Sequence, residues 1–468
     1  MNVIDIVVTS DMCAGCGVCA GACPVKCLEM RLINGEYKPF LIGHCGAKCD
    51  ICLRVCPFFD HNTHQDDLAR MRFASAEGMR QYSVVGFYLD CFIGYSAVYE
   101  HRRNGASGGM VTWMLEQLLA KGEIDRVVTV RNSKSGKGPL FEYTVMDSVP
   151  AVRAAASSKY YPVELSNPLK SILEDSKEHR YAVVGVPCFL HALVRAISVN
   201  KKLKQRIPYL LGLVCGLYPS AYYTDILTVW AGLRCSQIKN AGYRFKDGIR
   251  YGQDYRFRAQ EHTGKWSRSV GFFETHSHLW GKYYFAKNVC NYCDDVFAEV
   301  ADAVFMDAWL PSMLSDTSGT SIIAVRNQRL RDILLSGIQE NSCVLTSCPV
   351  EDVVLSQKEL VNEKKECIKQ RISAAQYRGE WLPKMRVSGS ETISEYDLKQ
   401  IRLRKRTICV SKQIWPYFRK MPRIMIPLFF LAVDTRSGGL FYGIKSFIRV
   451  FRKIVRKIVR DLLDITKS

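Results

Sequence analysis

The first sixty residues carry two cysteine runs, and each ends in Cys-Pro. They are Cys13-Ala-Gly-Cys16-Gly-Val-Cys19-Ala-Gly-Ala-Cys23-Pro24 and Cys45-Gly-Ala-Lys-Cys49-Asp-Ile-Cys52-Leu-Arg-Val-Cys56-Pro57. The first has the spacing C-x2-C-x2-C-x3-C-P, which wraps thiolates around a [4Fe–4S] cube. In two-cluster proteins the fourth cysteine of such a run reaches the other cluster. That rule assigns Cys13, Cys16, Cys19 and Cys56 to one cluster, and Cys23, Cys45, Cys49 and Cys52 to the other. Three residues separate Cys45 from Cys49 where the pattern has two, so Cys27 stands as an alternative to Cys45. Ala14, Gly15 and Gly17 lie between ligands, where a chain folded tightly round a cube needs small residues. Four-thiolate zinc sites also use C-x2-C pairs, but two interleaved runs ending in Cys-Pro favour iron–sulfur. No basic segment followed by an apolar stretch opens the chain, so no export signal is expected. The nineteen cysteines are therefore read as metal-binding thiols in a reducing cytosol, not as a disulfide framework.

These groups need elements to position them. The polar stretch His61–Met79 reads as a linker or an exposed helix. Asp90–Tyr99 reads as a strand. The loop Asn104-Gly-Ala-Ser-Gly-Gly109 leads into Met110–Ala120, which has helical apolar spacing and stops before Gly122. Glycines before a helix N-terminus let backbone N–H groups approach a phosphate, and Ser107 adds a hydroxyl; such loops also simply turn a chain. Arg126–Val130 is a strand. Tyr181–Pro187 is a buried strand that opens into a turn carrying Cys188, with a helix over Leu190–Ile197. Tyr209–Gly216 repeats the design, an apolar strand ending at Cys215. Alternating strands and helices indicate α/β layers with a partly parallel sheet, and active groups should gather at the carboxyl ends of its strands.

Cys188, Cys215 and the pair Cys290-Asn-Tyr-Cys293 come from separate segments. Four such thiolates suit a third [4Fe–4S] cluster; the alternative is two buried structural cysteines and a chance pair. Cys91, Cys235, Cys343, Cys348, Cys367 and Cys409 look isolated.

Several short motifs in this order resemble the family of coenzyme F-420 hydrogenase/dehydrogenase beta subunits. They are the cysteine runs, Ala106-Ser-Gly-Gly109, Ser158-Lys-Tyr160, Gly185-Val-Pro-Cys188, Cys215-Gly216 and Cys290-Asn-Tyr-Cys-Asp-Asp-Val-Phe-Ala-Glu-Val-Ala-Asp302. Asp307-Ala-Trp309 and Gly319-Thr-Ser321, before a strand at Ile322–Arg326, complete the pattern, which covers roughly residues 5–335. The resemblance implies a flavoprotein oxidoreductase that binds FAD and passes electrons through iron–sulfur clusters. It implies Cys188, Cys215, Cys290 and Cys293 as ligands of the third cluster. For the flavin it points to Asn104, Ser107, Gly108, Gly109, Lys159, Thr320 and Ser321. Lys159 would meet a phosphate or the flavin N1 edge, against a solvated surface lysine as the plain alternative. Phe189 stands where a Gln is usual and Met306 where a Gly is usual; both would then lie near the flavin or its partner. His191 is a candidate proton relay or a packing residue. Glu299, Asp302 and Asp307 would orient backbone near the cluster or hydrogen-bond locally.

The net charge of +20 is uneven: residues 401–468 hold +14 and the remainder +6, so no nucleic-acid partner is expected. Ile424–Val433, interrupted by Pro427, is too short to span a bilayer. Leu440–Ile465 reads as a basic amphipathic helix, suited to an anionic membrane surface or to packing on protein.

The expected fold is α+β. A two-[4Fe–4S] ferredoxin-like domain (1–60) and a linker (61–80) precede a layered α/β flavin-binding body in two parts (81–170 and 171–340). A helical extension (341–400) and the basic tail (401–468) follow. The expected function is a cytoplasmic oxidoreductase, peripheral to the inner membrane face. It would carry electrons from a ferredoxin-like donor through the clusters to FAD and on to a small organic acceptor. The alternatives are an electron-transfer subunit serving a separate catalytic partner, and a redox sensor.

Overall fold

A computed structural model describes residues 1–439 except 47–48, 61–62, 134–137 and 275, together with 443, 444 and 448. The amphipathic helix expected over 440–465 lies outside these residues, apart from those three positions.

The N-terminal segment is built from short pieces around a hairpin, β1 (Leu28–Ile33) and β2 (Glu36–Leu41). Asn34 and Gly35 form its two-residue loop, both with positive φ (51° and 75°), the backbone that twists two strands together. The stretch read as a linker or an exposed helix contains a helix, Gln65–Phe73, started by a capping box between His64 and Asp67. It is not a free spacer. Arg72 pairs with Asp302 at 2.9 Å, and the buried Gln65 donates to the Asp295 carboxylate.

A small hairpin, β3 (Arg80–Tyr82) and β4 (Gly86–Tyr88), leads into the main sheet. That sheet takes β5 (Asp90–Ser96), β6 (Arg126–Asn132), β7 (Phe141–Met146), β8 (Tyr181–Gly185) and β9 (Tyr209–Leu213). A three-stranded side sheet follows: β10 (Ile238–Phe245), β11 (Arg256–Glu261) and β12 (Val270–Gly271). The chain then returns to the main sheet with β13 (Ala303–Asp307), β14 (Ser321–Val325) and β15 (Cys343–Ser347). The order across the main sheet is β15-β5-β14-β13-β9-β8-β6-β7. Neighbours from β13 through β9 and β8 to β6 are parallel, and the flanking pairs are antiparallel.

β8 is apolar or small throughout and buried at every residue, as a parallel strand covered on both faces must be. Tyr181 and Val183 face one core, Ala182 and Val184 the other. The helix Met110–Ala120 covers the second face with Met110, Trp113, Met114 and Leu118. The helix Pro187–Val199 covers the first with Phe189, Leu190 and Leu193, beside Val18 and Leu53 of the N-terminal segment. Cys188 therefore sits in the first turn of that helix, where Pro187 needs no N–H partner, and not in an open turn.

Arg326, just after β14, is 1% exposed. It donates to the carbonyls of Val85, Phe87, Phe297, Ala298 and Ala301 at 2.7 to 3.5 Å. Each buried carbonyl left without a donor costs about 1–3 kcal/mol. Arg326→Met should therefore lower stability by roughly 3 kcal/mol or more, read as a lower midpoint of denaturant unfolding with an unchanged slope.

Candidate functional site

The fold gathers the cysteines into sets. Burial pushes the Cys19 thiol well up, and Cys16, Cys13 and Cys56 push it further. Burial, Cys16 and Cys13 do the same to Cys56. Cys13, Cys16, Cys19 and Cys56 thus stand together, as their spacing assigned them. In the second set burial raises the Cys52 thiol, with Cys45 and Cys49 adding to it. The Cys27 sulfur lies 3.5 Å from that of Cys23, and Cys45 also bears on it. Five thiols therefore crowd this set, one more than a cube takes. Cys27 is within reach of the place that spacing left open to it.

Cys188, Cys215, Cys290 and Cys293 form the third set. Burial raises the Cys188 thiol, and Cys293, Cys215 and Cys290 raise it further. The segments that carry the sets pack together: the short helix Val18–Gly21, with Cys19, lies against both Ile51–Arg54, with Cys52, and Pro187–Val199, with Cys188. Among the described residues no three His, Cys, Asp or Glu side chains converge on a single-ion site.

Buried cations accompany these thiols. Lys287 is 2% exposed, and its Nζ finds no hydrogen-bond partner; the Glu36 carboxylate is 3.9 Å away. Its charge bears on Cys13 of the first set and Cys290 of the third. Lys364 donates to the Cys293 sulfur at 3.4 Å and to the Asp295 carbonyl at 2.8 Å. Burial opposes its charge, but Cys293, Cys215 and Cys290 hold its ammonium well above the usual lysine range. A buried ammonium is expensive when its nearest carboxylate is as far as Glu36 is from Lys287 and is shared with Lys412. An anionic thiolate-held cluster beside it would remove that cost, so the donor sets and their cations fit [4Fe–4S] groups.

A second locus lies at the glycine loop. Ser107 Oγ donates to the Thr320 carbonyl at 2.6 Å, and the Gly108 N–H donates to Ser321 Oγ at 2.9 Å. The sequence candidates from two distant segments thus meet. A Cβ at Gly108 would lie 2.6 Å from the Gly94 oxygen and 2.8 Å from the Ser321 nitrogen, so only glycine fits. Beside this junction is a narrow cleft of about 20 Å³ lined by Ser107, Arg244, Lys246, Asp307, Trp309 and Thr320.

Arg244 and Lys246 were not singled out from sequence. They flank Phe245 at the end of β10, where basic residues alternating with aromatics were the available signal. The Arg244 guanidinium pairs with the Asp307 carboxylate, donates to the Ala106 carbonyl at 3.0 Å and to Tyr160 Oη at 3.3 Å, and stacks on Tyr255. Its Nε is buried without a hydrogen-bond partner. Lys246 Nζ donates to the Ser107 and Ser318 carbonyls at 2.7 and 2.6 Å. Burial, helped by Arg244, brings its pKa down to about 7. Two basic side chains, a guanidinium N–H without a partner and a close backbone are donors of the kind that a phosphate of a dinucleotide such as FAD takes.

The other candidates fall elsewhere. Asn104 is exposed at the end of a single helical turn, His101–Asn104, and does not line the cleft. Lys159 is not a solvated surface lysine: its ammonium donates to the carbonyls of Ala155, Ala156 and Ser157, beyond the helix Val149–Ala154. Burial brings its pKa to about 7. Phe189 is buried between Tyr143 and Tyr218, with ring centroids 6.0 and 5.5 Å away, and Met306 is buried opposite Ile322. Neither lines the cleft, since the helix and strand carrying them turn these side chains into the core. His191 accepts from Arg195 Nε at 3.0 Å beside a crevice of about 60 Å³ that also touches Cys188 and Cys293. Asp302 accepts the Leu210 N–H at 2.8 Å, so it does orient backbone at the start of β9.

Tyr160 links the two loci. It meets Arg244, and its hydroxyl is raised by burial, Asp307 and Cys215. The third thiol set and the cleft therefore adjoin at the carboxyl ends of β8, β9 and β13, as an open α/β sheet favours.

Three sets of cysteine thiols and a cleft lined by basic side chains thus stand at one end of a mixed sheet. The family defined by the C terminus of the coenzyme F420 hydrogenase/dehydrogenase beta subunit matches residues 178–351, and its N-terminal counterpart matches residues 91–170. Together these span over half of the chain, which belongs to the family of coenzyme F420 hydrogenase/dehydrogenase beta subunits. Neither match reaches the N-terminal cysteine runs or the residues after 351.

One subunit of the F(420)H(2) dehydrogenase of Methanosarcina mazei is 26% identical over 220 residues, covering 45% of this chain and 54% of that protein. Coenzyme F420-dependent sulfite reductase of Methanocaldococcus jannaschii is 26% identical over 227 residues, covering 45% of this chain and 32% of that protein. The chain thus spans about half the length of the first and a third of the second. A chain of the F420-reducing [NiFe] hydrogenase complex from Methanosarcina barkeri superposes with a TM-score of 0.47 at 18% identity, over 63% of this chain and 96% of that one.

Proposed function

We propose that the protein is an iron–sulfur flavoprotein oxidoreductase. The observation that carries this reading is the packing of the segments that bear the thiols: the helix Val18–Gly21, with Cys19, packs on Ile51–Arg54, with Cys52, and on Pro187–Val199, with Cys188, while Cys215 follows β9 and Asp307 of the cleft ends its neighbour β13. Cys13, Cys16, Cys19 and Cys56 would hold one [4Fe–4S] cluster. Cys23, Cys49, Cys52 and either Cys45 or Cys27 would hold the second. Cys188, Cys215, Cys290 and Cys293 would hold the third. Ser107, Gly108, Gly109, Thr320, Ser321, Arg244 and Lys246 would hold FAD. Bound there, a flavin exchanges one or two electrons, which couples single-electron supply to two-electron chemistry.

The donor would be a ferredoxin-like protein and the acceptor a small organic molecule. A second reading, an electron-transfer subunit serving a separate catalytic partner, draws support from the relative described as a subunit of a dehydrogenase. Among the described residues no helix is long and apolar enough to cross a membrane. A cytoplasmic place, peripheral to the inner membrane face, rests on the basic composition of residues 401–468.

The test is iron, sulfide and flavin content of the anaerobically reconstituted chain. About twelve irons with one FAD is the expected result. About eight irons without flavin would overturn the reading.

A further inference from the structure

Residues after 351 lie beyond the family match, yet they close over the third thiol set. Each residue from Asn291 to Asp295 has a partner there. Arg371 donates to the Asn291 carbonyl at 2.8 Å, and Arg404 donates to its side-chain oxygen. Tyr292 Oη meets Glu380 at 3.3 Å. Arg386 pairs with Asp294 and, at 2.7 Å, with Glu299. Lys364 takes the Cys293 sulfur and the Asp295 carbonyl. It stands on a π-helical turn, Asn362–Glu366, a widened turn common at functional sites. At 3% exposure it is among the most buried charged side chains of the chain.

We propose that Lys364 is a positioning residue that raises the reduction potential of the cluster held by Cys188, Cys215, Cys290 and Cys293. This rests on the three-cluster reading. One electron from the donor adds one negative charge among these thiolates, with no proton and no bond change. A fixed positive charge within hydrogen-bond reach of Cys293 offsets that added charge, and burial leaves little water to screen it. Asp295 opposes the effect with its carboxylate, but the charges of Arg386 and Lys365 bear on that group and offset it, whereas Lys364 donates to its backbone carbonyl and to the Cys293 sulfur. Lys287 makes an internal comparison. It bears on Cys13 as well as Cys290, so its charge is shared between two sets, whereas Lys364 touches the third alone.

The experiment is an EPR-monitored redox titration of the reconstituted full-length chain. The third couple is identified as the one missing from Cys290→Ser. In Lys364→Met the constant for one-electron reduction of that couple should fall at least tenfold, about 59 mV. The other two couples should stay in place, and Lys364→Arg should stay near wild type. Lys287→Met should move two couples. An unmoved third couple in a Lys364→Met protein with full iron overturns the proposal. Loss of only the third cluster's iron from Lys364→Met, retained in Lys364→Arg, also overturns it and assigns Lys364 to assembly. A wild-type chain that holds two clusters overturns the three-cluster reading and this proposal together.

Discussion

Cys290→Ser should remove about four irons per chain and abolish reduction of the flavin by reduced ferredoxin. Cys290 accepts the Tyr218 N–H at 3.3 Å and stands in the set that separates the first cysteines from the cleft. A serine hydroxyl is a poor substitute for a thiolate, because soft sulfur ligands select iron–sulfur clusters. With the third set broken, no other thiol set adjoins the cleft among the described residues. Flavin content should be unchanged, because no Cys290 contact reaches Ser107, Arg244 or Thr320. Direct reduction of the flavin by dithionite should persist. The measurement pairs an iron assay with the rate of flavin bleaching by each reductant. Bleaching by ferredoxin at the wild-type rate, with the third set's iron gone, would place electron delivery elsewhere.

Arg244→Met should empty the cleft of flavin and destabilise the fold. Its guanidinium is nearly buried, and its carboxylate partner Asp307 is partly exposed. Breaking a buried pair from one side costs roughly 3–5 kcal/mol, because the remaining charge is left without a partner. Partial exposure of Asp307 puts the expectation near 3 kcal/mol, the lower end of that range. The double variant Arg244→Met, Asp307→Leu removes both charges and should recover most of that stability. It should not recover flavin, since the N–H groups that face the cleft remain absent. Thermal unfolding and bound-flavin absorbance of the single and double variants separate the two effects. Full flavin content in Arg244→Met would show that the cleft is not where the dinucleotide sits.

Ligand spacing along the chain is a local property, and it was legible where the chemistry is local. Cys13, Cys16, Cys19 and Cys56 meet as their spacing implied, and Cys27 lies beside Cys23 where the irregular second run left room for it. The helix Met110–Ala120 was readable to its ends, because apolar periodicity and a following glycine mark a helix without tertiary help. Five strands of the main sheet, β5, β6, β8, β9 and β14, were read with ends shifted by a few residues, β5 stopping at Ser96, short of Tyr99, and β9 at Leu213, short of Gly216; β7, β13, β15, the hairpins and the side sheet were not read. Ser107, Gly108, Thr320 and Ser321 were separate candidates for the flavin in the sequence, and their pairing appears only in the fold.

The tertiary structure alone decided which charges face these groups. Arg244 and Lys246 arrive from a side sheet more than a hundred residues after the glycine loop, and Lys364 from a segment that read as a plain helical extension. Lys287 carries no signal in the sequence, and the fold buries it where its charge bears on Cys13 and Cys290. Lys159 lies in a motif that suggested phosphate, but the fold turned it onto backbone carbonyls. A cation's sequence neighbours do not say whether water, a carbonyl or a thiolate will surround it. Burial sets that environment, and burial is decided by segments that meet only when the chain has folded.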